Sequence, residues 1–303
     1  MLGARRSALG PVLEAGAAVL ARSGVDDPRR DVAELWAALT GTTPGRVWLA
    51  RSETVPDELF LRFDDALERR AAGEPLEYVT GVAAFRTVEL AVTRSTLIPR
   101  PETEGLVEHV LRWAAERRAP SAEQRVARGI PTALDVGTGS GCIALSLAVE
   151  VRFDRIVATD MSEAALAVAR ANHAVLAPAV SVDFRQGSLF APLAPGERFD
   201  VIVANPPYLT EGEYVELDAS VREWEPREAL VSGADGLAHV RALLAGAAAH
   251  LVPGGLLAIE LDCRRADHVV ALARAGGWPD ARIEIDLFGR PRYLLATHTR
   301  AEP

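Results

Sequence analysis

Leu134-Asp135-Val136-Gly137-Thr138-Gly139-Ser140-Gly141-Cys142 runs an apolar strand pattern into a glycine-dense turn, and the helical pattern Ile143 to Val149 follows at once. The order is strand, nucleotide-binding loop, helix. Glycine at such a turn permits positive φ and lets the backbone come close to a ligand, while the N-terminus of the next helix offers unpaired N–H groups. The alternating G-x-G-x-G spacing differs from the G-x-G-x-x-G of pyrophosphate dinucleotide sites. It suits S-adenosylmethionine, with Asp135, Gly137, Thr138, Gly139, Ser140 and Gly141 expected at the cofactor. A tight strand-to-helix turn that holds no ligand is the plain alternative.

Working outward, Ile156-Val157-Ala158-Thr159-Asp160 is a short apolar strand ending in a carboxylate. That acid falls about 20 residues beyond the loop, where a ribose-binding acid is expected. Asp160 would then accept both ribose hydroxyls; capping of the helix Glu163 to His173 is the reading that needs no ligand. Further on, Val201-Ile202-Val203-Ala204 delivers Asn205-Pro206-Pro207-Tyr208. Two successive prolines fix two φ angles and offer no N–H to a sheet ladder, so pairing stops there and carbonyls face something else. Fixed acceptors beside an aromatic ring suit a planar NH2 group whose nitrogen must be aimed at an electrophile.

Strands and helices alternate from about residue 74 onward, which predicts an α/β fold with a mostly parallel sheet covered on both faces. Before Gly73 everything reads as helix: Pro11 to Ser23, Arg29 to Thr40 and Asp57 to Ala72 carry apolar residues at three- and four-residue spacing. Ala281 to Asp286 and Pro291 to His298 flank Leu287-Phe288-Gly289-Arg290 as a hairpin. Trp36 and Trp48 fit either a core or a protein-binding surface, core being the commoner fate. The Ala-Arg-rich stretch Arg117 to Gly129 reads as a loop.

The 303 residues carry a net charge of −9, and every one of the 33 basic residues is arginine. Arg5-Arg6, Arg29-Arg30, Arg69-Arg70, Arg117-Arg118 and Arg264-Arg265 are scattered pairs rather than one basic face, which argues against stable nucleic-acid binding. Two cysteines, Cys142 and Cys263, give neither metal spacing nor a disulfide framework. With no apolar run long enough for a bilayer and no signal-peptide pattern at Met1 to Arg6, a cytoplasmic protein without membrane partners or a metal is expected.

The cofactor loop, the acid after the second strand and Asn-Pro-Pro-Tyr after the fourth form an ordered set. With Gly73-Glu74-Pro75-Leu76-Glu77-Tyr78-Val79-Thr80-Gly81, Phe85, and Leu97-Ile98-Pro99-Arg100-Pro101-Glu102-Thr103-Glu104, the chain resembles the class I methyltransferases of the HemK or PrmC family. These modify the glutamine side-chain nitrogen of peptide chain release factors. The resemblance implies a Rossmann-like sheet with an antiparallel last strand. It also implies a helical substrate-recognition domain at 1–73, a β-hairpin linker at 74–100 and a methyltransferase domain at 101–303. The helical part could instead be a packing appendage, and Arg100 with Glu102 and Glu104 could merely fasten a helix start.

In this reading Asn205, Pro206 and Tyr208 are catalytic. Pro207 and Phe85 join them at the substrate, and Ser188, Leu189 and Asn205 contribute to the cofactor site. The Asn205 side-chain oxygen and the Pro206 carbonyl would hold a glutamine NH2 for direct methyl transfer, and Tyr208 would pack on the amide plane. Glu225-Pro226-Arg227-Glu228-Ala229-Leu230 is expected to close the site. Three positions depart from the family pattern: Ser188 stands where an acid is usual, Ala84 replaces a glutamate before Phe85, and Glu260-Leu261-Asp262-Cys263 lacks the usual glycine. A ribosomal-protein glutamine methyltransferase, a nucleic-acid amine methyltransferase and a non-catalytic nucleoside-binding protein remain as rivals.

Overall fold

The computed structural model describes residues 8–118, 131–151 and 153–299. Its contacts divide the chain into two compact units, one ending at Val82 and including Asp218–Trp224, the other holding Ala83–Leu217 and the residues from Glu225 onward.

Helical periodicity builds the first unit. Helices α1 (Leu9–Arg22), α2 (Pro28–Thr40) and α4 (Asp57–Ala71) turn Leu13, Leu20, Leu35, Trp36, Phe63 and Leu67 into one buried core, with α3 (Pro44–Leu49) and α5 (Leu76–Thr80) between and after them. The ends of α2 follow its sequence: the Asp27 side chain accepts from the Arg30 N–H at 3.1 Å, Pro28 opens the first turn, and Gly41 stops it at φ 65°. Trp36 meets Phe63 edge to face, centroids 5.3 Å apart, and Trp48 is partly buried against the same core. Both tryptophans therefore serve packing.

In the second unit a two-stranded hairpin, β1 (Val82–Phe85) with β2 (Val88–Ala91), precedes α6 (Pro101–Arg118). Then come β3 (Thr132–Val136), α7 (Cys142–Glu150), β4 (Arg155–Asp160), α8 (Glu163–Leu176), β5 (Val182–Gln186) and β6 (Phe199–Ala204). After α9 (Glu211–Val215) the chain passes through α10 (Ala219–Arg222), which is counted with the first unit, and the order is then α11 (Ala238–His250), β7 (Leu251–Glu260), α12 (Ala266–Ala275), β8 (Arg282–Ile285) and β9 (Pro291–Thr297). Most of the predicted loop Arg117 to Gly129 lies outside the described residues; Arg117 and Arg118 belong to the last turn of α6.

The seven-stranded sheet has the order β5-β4-β3-β6-β7-β9-β8, parallel from β5 through β7 and antiparallel at β9. Near-continuous apolar runs such as Leu256–Ile259 suit strands covered on both faces. Strand order reverses between β3 and β6, and such a switch opens a crevice at the carboxyl ends of the two strands. In the register, Val136 lies level with Ala204 and with Thr159, and Ala204 lies level with Ile259. The next residues, Gly137, Asn205, Asp160 and Glu260, are therefore set along one edge. Among the described residues no helix is long and apolar enough to cross a membrane.

Candidate active site

At this edge the second unit carries a cleft with about 1110 Å³ of empty space, its open mouth included. Gly137, Thr138, Gly139, Ser140, Asp160, Ser188, Leu189, Asn205, Pro206 and Pro207 all line it. The sequence stretches that are far apart in the chain thus meet at the strand switch.

Local hydrogen bonds explain the shape of the glycine loop. The N–H groups of Gly137 and Thr138 both donate to the Thr159 carbonyl, at 2.8 and 3.0 Å, so the loop folds over the end of β4. Gly137 and Gly139 have φ of 78° and 56°, and a Cβ on either would meet nothing within 4 Å. That open side is where a ligand can press against bare backbone. The Asp160 carboxylate accepts from the Gly139 N–H at 2.9 Å and from the Ser162 N–H at 2.9 Å, while the Ser162 side chain caps α8. Asp160 consequently organises the loop instead of capping the helix, and burial raises its pKa.

Four anticipated residues stand away from the cleft wall. Asp135 is fully buried behind the loop, where its carboxylate accepts from the Thr138 hydroxyl at 2.6 Å and the Ala144 N–H at 3.1 Å; burial pushes its pKa up to about 7. Gly141, φ 86°, forms the N-cap of α7 and faces Leu145 and Ala169. Tyr208 is half-buried and outside the lining; its N–H donates to the Leu230 carbonyl at 3.2 Å, and burial beside Glu260 raises its phenol pKa. Phe85 corrects the sequence reading most plainly. It is 1% exposed and packs in the core with Val88, Leu90 and Leu106, because alternation in β1 turns Ala83 and Phe85 inward together. The hairpin is fastened to the glycine loop by another residue, Asn172, whose amide bonds both Ala91 backbone groups and the Ser140 carbonyl.

Two further segments singled out in the sequence, without individual roles at the cofactor or substrate, also supply the wall. Leu97, Pro99, Arg100 and Thr103 come from the segment entering α6, and Pro226, Glu228 and Ala229 from the expected closing segment. One carboxylate joins the two segments: Glu225 accepts from the Ile98 N–H at 3.2 Å and from Arg100 at 2.5 Å. Behind Asn205, its side-chain Nδ2 donates to the Thr103 hydroxyl at 3.0 Å, which donates to Glu260 at 2.8 Å. Glu260 is 1% exposed, and burial lifts its pKa to about 7. In the sequence Glu260 stood out only as the first residue of Glu260-Leu261-Asp262-Cys263, with no role at the site assigned to it.

Of the departures from the family pattern, Ser188 is on the wall and exposed, Ala84 is exposed on the hairpin, and the Asp262 carboxylate is held by Arg264 and Arg265.

Residues 12–81 match the PrmC N-terminal domain family, and residues 125–222 match the methyltransferase small domain family. The chain is 40% identical over 284 residues to a release factor glutamine methyltransferase of Cereibacter sphaeroides, covering 94% of this chain and 96% of the relative. It is 42% identical over 278 residues to the protein of the same description from Moorella thermoacetica, covering 91% and 94%. Among solved structures, a T. thermophilus 16S rRNA methyltransferase in complex with AdoMet and guanosine aligns with a TM-score of 0.50 and 18% identity, over 72% of this chain and 50% of that one. That likeness speaks for the fold alone. Sheet topology, the order of the cleft-forming segments and near-full-length identity at this level agree: the chain belongs to the release factor glutamine methyltransferase family.

Proposed function

We propose that this enzyme transfers a methyl group from S-adenosylmethionine to the side-chain amide nitrogen of the glutamine in the Gly-Gly-Gln motif of peptide chain release factors. The observation that carries the reading is the placement of Asn205 and Pro206 on the same cleft wall as the Gly137–Gly139 backbone. The residues fit the cofactor: two positive-φ glycines with open space where a Cβ would stand, a carboxylate at Asp160 within the lining, and an apolar side formed by Leu189, Pro207 and Leu243. Gly137, Thr138, Gly139, Ser140, Asp160, Ser188 and Leu189 would hold it, with Asp135 and Gly141 shaping the loop from behind. When bound, it supplies an electrophilic methyl on a sulfonium.

An amide nitrogen is a weak nucleophile because its lone pair is delocalised into the carbonyl. The Asn205 Oδ1 and the Pro206 carbonyl accept from its two N–H groups, orient the nitrogen and stabilise the positive charge that grows there. Preorganised acceptors are worth more in a cleft with little water than in bulk solvent. Tyr208, half-buried next to the prolines, braces the tetrapeptide. Residues 1–73, helical over much of their described part, take the recognition of the protein substrate; the match of 12–81 to the PrmC N-terminal domain supports a family-specific role for this part.

The test is mass mapping of a purified release factor after incubation with enzyme and cofactor. One added methyl on the Gly-Gly-Gln glutamine is expected. Methylation of a ribosomal protein instead, or of neither, overturns the substrate assignment.

A further inference from the structure

We infer that Thr103 and Glu260 are positioning residues which set the orientation of the Asn205 amide, so that the enzyme turns over only when Glu260 is ionised. This inference rests on the substrate reading above.

A threonine hydroxyl has one hydrogen to give. With Glu260 a carboxylate, which only accepts, that hydrogen goes to Glu260 Oε2 at 2.8 Å, and the hydroxyl oxygen can only accept from Asn205 Nδ2 at 3.0 Å. The two ends of an amide diverge, so anchoring Nδ2 turns Oδ1 away from Thr103 as the acceptor for the substrate NH2. Protonation of Glu260 removes that constraint and lets the chain run in reverse. The carboxylic acid donates to Thr103, Thr103 donates to Asn205 Oδ1, and the amide turns its NH2 toward the substrate. Two donors then face each other and no bond forms.

Glu260 is placed for such control by burial at the end of β7, which raises its pKa to about 7. The groups facing it are Thr103 and Glu102 on α6, Arg100 just before it, Arg292 and Tyr293 on β9, Tyr208 after β6 and Cys142 on α7. The Thr103 bond, Arg292 and Arg100 favour the carboxylate, and Glu102 opposes it. Arg292 is itself 8% exposed, so its charge is poorly screened by water. Nothing in methyl transfer itself requires this carboxylate to touch the substrate.

The experiment measures kcat at saturating cofactor across pH, together with the side-chain amide resonances of Asn205 in ¹⁵N-labelled, substrate-free protein, assigned by their loss in Asn205→Ser. In the wild type, kcat should fall about tenfold per pH unit below the Glu260 midpoint. The amide resonances should shift with the same midpoint. Glu260→Gln cannot change its charge with pH and should abolish both transitions. Thr103→Ser should behave as wild type, whereas Thr103→Val should lower kcat by about 10- to 100-fold with cofactor affinity unchanged. A Glu260→Gln enzyme that keeps the wild-type pH break, or a Thr103→Val enzyme with wild-type kcat, overturns the inference. If the wild type methylates no release factor at any pH, the substrate reading fails, and the amide resonances alone still decide whether Glu260 controls Asn205.

Discussion

Asn205 has its amide nitrogen committed to Thr103 and its place on the cleft wall fixed by the β3–β6 register. Replacing it with alanine removes one preorganised acceptor and leaves the sheet intact. Asn205→Ala should reduce kcat by about 10²–10³-fold with little change in cofactor affinity, read by steady-state methylation and calorimetric titration. Glu260 makes a second prediction, this time in stability. Its pKa is raised on folding from 4.5 to about 7, so the folded chain binds more protons than the unfolded one between those values. The stabilising contribution is complete below the lower value and is lost as pH rises through the upper one, amounting to up to about 3 kcal/mol. The melting temperature of Glu260→Gln relative to wild type should therefore rise between about pH 5 and pH 8. A difference that stays flat with pH would show the carboxyl to be unperturbed. Neither residue partnership was legible in the sequence, because Thr103 is separated by 102 positions from Asn205 and by 157 from Glu260. Thr103 stood between two glutamates whose charges, at a helix N-terminus, already offered a sufficient local explanation.

At the scale of elements, the glycine loop and the entry to α6 make opposite demands on glycine. Gly139 must leave space empty: its φ of 56° disfavours a β-branched residue, and its missing Cβ opens onto the cleft. Gly139→Val should weaken S-adenosylmethionine binding by about 10²-fold or more while circular dichroism stays native. Gly105 must let another group in, since a Cβ there would stand 2.2 Å from the Tyr293 hydroxyl, which donates to the Glu102 carbonyl at 2.6 Å. Alanine gains about 1 kcal/mol of helix propensity but meets a fully buried ring, and overpacking costs about 1–3 kcal/mol. Gly105→Ala is accordingly expected to be destabilising on balance and to lower kcat by displacing Thr103, whereas a neutral result in both would show that α6 can slide. The long helices and strands were legible because their periods repeat, with ends within a residue or two at Leu9–Arg22 and Asp57–Ala71. Short α3 and α5 were not, since Pro44–Leu49 and Leu76–Thr80 are too brief to show a period. Phe85 was misplaced because a motif gives the neighbourhood of a residue and not the face of the strand it occupies.

Across the whole molecule, the β5 side of the sheet is one place where acid should weaken the fold. Glu197 accepts from Arg185 at 2.7 Å and from Arg155 at 2.7 Å, and these bonds hold its pKa down at about 2. A carboxyl lowered on folding stabilises above its unfolded value and loses that contribution as pH falls toward the folded one. Glu197→Gln should thus be destabilising at neutral pH and nearly silent at about pH 2, as read by denaturant melts at the two pH values. Equal losses at both would remove the ion-pair explanation.

Asp218–Trp224 belongs with the stretch that ends at Val82, although 135 residues of the second unit, Ala83–Leu217, are translated between them. A ribosome releases the chain from its N-terminal end at about 5–20 residues per second, and domains ordinarily fold in that order. Here the buried core of the helical unit is drawn from Leu9 to Leu67 alone, so that unit can close as soon as it emerges, and α10, which buries none of its residues, joins it several seconds later.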